Sequence, residues 1–92
     1  MNKQEIKDSV KCAILNEDYA TLRRLFLKSH QEFEILNKKV ESYRTRMRLL
    51  KAAEFDTDPR YYSLVLLCAE VSDKLKVVTE CHDYLKNIVK EL

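Results

Sequence analysis

The chain contains no glycine and one proline in 92 residues. Sheets, tight hairpins and ligand loops lean on glycine for positive-φ turns, so its absence points to an all-α chain. A glycine-rich phosphate loop, a dinucleotide fingerprint and a nucleophile elbow are excluded with it. Nucleotide binding by those routes is therefore out.

An excess of charge of either sign is missing too. Seventeen Lys and Arg face fifteen Asp and Glu, a net charge of +2. That is neither the footprint of a strongly basic nucleic-acid binder nor that of an acidic mimic. Long apolar runs are absent. The longest, Leu64 to Ala69, is far too short to span a bilayer. The opening MNKQEIKDSVK carries acids and no apolar run, unlike a signal peptide. Cysteine is scarce and odd in number. Cys12, Cys68 and Cys81 lie in helical pattern, which fits a reduced, intracellular, cytoplasmic setting.

What remains is 46% apolar and 35% charged, too apolar for disorder and too charged for a membrane protein. The length allows one small helical domain over residues 1–92. So short a chain has a limited core, and oligomerisation is a common remedy.

Periodicity supplies the elements. Asn2 with Glu5 three residues on forms a capping-box spacing, followed by Ile6, Val10, Ala13 and Ile14. This predicts a first helix over about 3–15. The stretch LNEDY is a weak interruption, where Asn16 or Asp18 caps a new helix or the first runs through. From Leu15 a heptad seam then continues in steps of four and three. Tyr19, Phe26, Phe33, Val40 and Met47 hold one core position; Leu22, Ser29, Leu36, Tyr43 and Leu50 hold the other. A second helix over about 18–55 follows. The one clear break is EFDTDPRYY, with a turn at 56–58, Asp58 as N-cap and Pro59 as first helical residue. The third helix covers about 59–91. Its seam reads Tyr61, Leu64, Cys68, Val71, Leu75, Val78, His82, Leu85 and Val89, flanked by a second row including Leu67, Cys81 and Ile88. So broad a stripe needs more than one neighbour. The expected architecture is a short N-terminal helix plus a long antiparallel, coiled-coil-like hairpin. Either helix 1 folds back over the stripe, which it is too short to cover entirely, or, the favoured arrangement, two copies dimerise into a four-helix-type bundle with helix 1 as a brace.

Three stretches are candidate sites. TECHDYL, residues 79–85, strings Glu80, Cys81, His82 and Asp83 together. On a 3.6-residue helix neighbours point about 100° apart, so these side chains do not converge on one metal. No zinc-ligand spacing is present. The blander reading places Cys81 and His82 on the seam side and Glu80 and Asp83 towards water. A ligand pair across a dimer, such as His82 with Cys68 or His30, is the functional alternative. KKVESYRTRMRLLK, residues 38–51, is the second. Arg44, Arg48 and Lys51 share one face and Arg46 flanks the other side of the seam. A solvated, salt-bridged flank is the bland expectation; contact with an acidic partner surface or nucleic acid is the functional one. The third is the turn FDTDPRYYS, where Tyr62 lies off the seam. Phe55, Tyr61 and Tyr62 either close the end of the core or anchor an interface.

No pair of residues resembles a catalytic arrangement, and no cofactor or metal is expected. LNEDYATLRRL, a long helix, DTDPRYYSLVLL and a closing helix are together loosely similar to the YlbF/YmcA-like small bacterial helical regulators. Small phage-encoded inhibitors of host proteins look just as similar. The resemblance implies a helical, oligomeric protein that acts by binding other proteins, and it transfers no residue. The function expected is a protein–protein interaction module (adaptor, regulator or inhibitor) rather than an enzyme. The alternative is a nucleic-acid-associated helical protein using Arg44, Arg46, Arg48 and Lys51. A structural coiled-coil segment comes third.

Overall fold

A computed structural model describes residues 2–92. It contains three helices: α1 (Lys3–Leu15), α2 (Tyr19–Ala52) and α3 (Pro59–Lys90). Among the described residues there is no strand.

Each helix begins where the sequence supplies a cap. The Asn2 side chain accepts from the Glu5 backbone N–H at 2.8 Å, and Glu5 accepts in return from the Asn2 N–H. Asp18 accepts from both the backbone and the hydroxyl of Thr21 at the start of α2. Asp58 accepts from the Arg60 backbone at 2.8 Å and pairs with its guanidinium at 3.1 Å. These bonds satisfy donors that the first helical turn leaves orphaned.

The helix ends are less expected. After α1, Asp18 N–H reaches Ala13 C=O and Glu17 N–H reaches Ile14 C=O. After α2, Phe55 N–H reaches Leu50 C=O and Glu54 N–H reaches Lys51 C=O. Both patterns are Schellman closures, which require one residue in the left-handed region. Glutamate takes that place twice, Glu17 at φ 54° and Glu54 at φ 64°. The chain therefore does use positive φ, without glycine. The second closure also stops α2 at Ala52, three residues short of the expected Phe55.

The chain forms two compact units. The first comprises residues 1–33 and 76–92. Its core is Ile6, Val10 and Ala13 of α1, Leu22 of α2, and Cys81 and Leu85 of α3. Leu25, Phe26, Tyr84 and Ile88 pack against it. Here α1 covers the second apolar row of α3, the row of Cys81 and Ile88. The second unit is residues 34–75. It joins the later part of α2 to the earlier part of α3 through the turn 53–58. Its buried side chains are Val40 and Cys68. No third helix covers α3 in this unit, and Val65, Leu66 and Leu67 stay exposed.

Of the seam residues, Leu22, Ser29, Val40, Cys68, His82 and Leu85 are buried, whereas Tyr19 at the start of α2 is exposed. Phe26, Phe33, Leu36, Met47, Leu64, Val71, Leu75 and Val78 are half-buried. Ser29, the one polar break in the α2 seam, is buried, and its hydroxyl donates to the Phe26 carbonyl at 2.8 Å. No helix among the described residues is long and apolar enough to cross a membrane.

Candidate functional site

Two places on the molecule concentrate chemistry, one in each unit. The first surrounds His82. Four aromatic rings gather where residues 26–33 of α2 meet α3. His82 is only 8% exposed and stacks on Phe33 at 5.2 Å between centroids and on Phe26 at 5.4 Å. His30 Nδ1 lies 3.1 Å from His82 Nε2. One ring nitrogen donates and the other accepts, so the two tautomers are linked. When His30 donates, the His82 proton sits on Nδ1, the nitrogen facing Asp83 Oδ1 at 3.7 Å. That separation is too long for a hydrogen bond. His82 thus finds a partner within its own chain, on α2.

The rest of TECHDYL separates by face. Cys81 is buried in the core of the first unit, while Glu80 and Asp83 are exposed. Burial pushes the Cys81 thiol above its ordinary pKa, with Glu80 and Glu32 adding to the rise and the N-terminal amino group and Lys3 opposing it. A raised thiol pKa means little thiolate, and so an inert sulfur. Among the described residues no group of three His, Cys, Asp or Glu is placed to hold a metal ion. The cluster packs four rings together and joins two of them through a hydrogen bond.

The second place is the end of the 34–75 unit. Here α2 presents its basic stretch on both sides of the Met47 and Leu50 row. On one side Arg44, Arg48 and Lys51, with Met47 and Tyr61, line a groove of about 300 Å³. On the other, Arg46, Leu49 and Leu50 of α2 and Arg60, Ser63 and Leu64 of α3 line a groove of about 490 Å³. The salt-bridged flank expected from the sequence is only partly there. Arg44 approaches Glu41 at 4.0 Å, and Arg48 donates to the Thr45 hydroxyl at 3.3 Å. Arg60 is held by Asp58. Among the described residues no acidic side chain pairs with Arg46, Arg48 or Lys51.

Large apolar side chains of this unit are exposed as well. Leu49 is 65% exposed, Tyr62 58% and Leu66 72%. At about 100° per residue, Tyr62, Leu66, Ala69 and Asp73 form one row, turned well away from buried Cys68. The aromatics of the turn do not close the core. Phe55 and Tyr62 are exposed and only Tyr61 is half-buried, its ring edge-on to Tyr62 at 6.1 Å. Sequence reasoning flagged Tyr62 but not Leu49, Val65 or Leu66. The signal was available: residues 61–71 are apolar on almost every side, and such a helix is normally covered all round.

Comparison with protein-family models, curated proteins and solved structures gives no match to this chain. The resemblance to small bacterial regulators gains no support from it, and the reading of the site rests on the residues themselves.

Proposed function

We propose that this chain is a protein–protein interaction module that works as an adaptor, regulator or inhibitor by occupying a partner's surface, without catalysis. The observation that carries this reading is the uncovered apolar face of α3 in the 34–75 unit, formed by Tyr62, Val65, Leu66 and Leu67. Contiguous apolar surface of this kind marks interaction sites in water-facing proteins. In the other unit α1 covers the row of Cys81 and Ile88, whose earlier member Leu67 stays exposed.

The finer organisation we propose is an antiparallel hairpin of α2 and α3. Two copies pair through the Tyr62–Leu66–Ala69 row into a four-helix-type bundle. Site-specific photo-cross-linking in the native host tests the function. A benzophenone side chain replacing Leu67 is expected to attach to a protein other than a second copy of this chain, whereas the same group at exposed Lys38 is not. Equal labelling at both positions, or none at either, counts against the reading.

A second reading draws on Arg44, Arg48 and Lys51, which span about 10 Å of one helix face. Such a row is able to follow phosphates. Binding to duplex DNA that collapses as salt rises favours it; weak, salt-insensitive binding removes it.

A further inference from the structure

The larger groove of the 34–75 unit is chemically lopsided. Its floor is Leu49, Leu50 and Leu64, and its edges are Arg46 on α2 and Arg60 on α3. Arg60 already has its carboxylate in Asp58, at 3.1 Å. Arg46 has none among the described residues. One edge therefore carries an uncompensated guanidinium beside a leucine that is mostly in water.

Three kinds of occupant fit this badly. A small molecule needs an enclosure that buries most of its surface, and this groove is open along its length. A nucleic acid rewards the cation but not a leucine floor. A second copy seated groove to groove sets its own guanidinium-bearing edges, Arg46 and Arg60, against these two. Such like-charge juxtaposition disfavours the contact.

What complements an apolar floor with an unpaired guanidinium at its edge is an amphipathic helix bearing carboxylates along one border. We infer that the Arg46–Leu49–Leu50–Leu64 groove is a docking site for an acidic amphipathic helix of a partner protein. Apolar residues at i, i+3/i+4 and i+7 fill the floor, the recurring helix-in-groove mode. An Asp or Glu of the partner meets Arg46 in a charge-assisted hydrogen bond. This deepens the interaction-module reading and rests on it.

The test is fluorescence anisotropy with two labelled synthetic helices. One has a leucine seam bordered by Glu; the other carries Lys in place of each Glu. A duplex DNA of mixed sequence is the third probe. The wild-type chain is expected to bind the Glu helix at least tenfold more tightly than the Lys helix. Arg46→Glu and Leu49→Ser are each expected to weaken the Glu helix at least tenfold. Both positions are exposed, so folding should survive, and an unchanged far-ultraviolet spectrum confirms it. Arg46→Glu should also gain affinity for the Lys helix, which a merely weakened surface would not do. If the Glu helix binds both variants as well as wild type, the groove assignment falls while the interaction module stands. Absence of binding by either helix to wild type overturns the docking site. Preference for the duplex overturns the docking site and the module reading together.

Discussion

Glu17 and Glu54 sit in the left-handed region that glycine enters without penalty, and this chain has no glycine to offer. A side chain with a Cβ costs about 1–2 kcal/mol there. Replacing either residue with glycine should therefore stabilise the fold by about 1 kcal/mol, less the entropy glycine adds to the unfolded chain. Urea denaturation measures it, and a lower midpoint for both variants contradicts the Schellman closures. His82 is the opposite case, a residue whose surroundings leave it little freedom. Truncating His82 to alanine opens a cavity between Phe26 and Phe33 and strips His30 of a partner. The expected loss is about 2–4 kcal/mol, of which a double-mutant cycle with His30→Ala should assign about 1 kcal/mol to the pair. Additive losses would mean that the ring contact, not the hydrogen bond, holds the site. The cysteines differ for the same reason of burial. Cys12 is exposed whereas Cys68 and Cys81 are buried. A thiol reagent should modify Cys12 promptly and the other two only as the chain unfolds.

At the scale of elements, the starts of α1 and α3 were legible because caps are short-range chemistry, while that of α2 stayed open between Asn16, Asp18 and an unbroken helix. Asn2 with Glu5, and Asp58 with Pro59, announce themselves within four residues. The ends were not, since the closures after Leu15 and Ala52 use glutamate where glycine is the usual sign. The seam was legible as periodicity, and none of its residues from Phe26 to Leu85 is exposed. The His82 pairing was not, because it joins residues 52 apart in sequence. The exposed row on α3 was misjudged for a related reason: a broad stripe signals that a neighbour is needed, but not which half of the helix receives one. The caps also carry a pH dependence. Hydrogen bonds from Thr21 hold the Asp18 carboxyl below its ordinary value of 3.8, and those from Arg60 do the same for Asp58. A carboxyl whose pKa is depressed on folding contributes stability above its unfolded value and loses it as pH falls through the folded one. Thermal stability should therefore fall on acidification below about pH 4. The fall should be shallower in Asp18→Asn and Asp58→Asn than in wild type. Parallel curves for all three proteins would show that neither cap is linked to protons.

For the whole molecule, the two units make different use of one helix. Around Cys81 and Leu85 the apolar surface of α3 is consumed internally by α1. Around Leu66 it is left over, in water. The proposed interaction rests on this uncovered apolar surface of α3 in the 34–75 unit. The account places the self-association row at Tyr62, Leu66 and Ala69, and the partner groove at Arg46 and Leu49. Changes in one should leave the other intact. Sedimentation equilibrium of the wild type and of Leu66→Glu, at micromolar concentration, tests this most directly. The account predicts twice the 10.9 kDa of a single chain for the wild type and a single-chain mass for Leu66→Glu. A wild-type mass of one chain, or a dimer indifferent to Leu66→Glu, would contradict it.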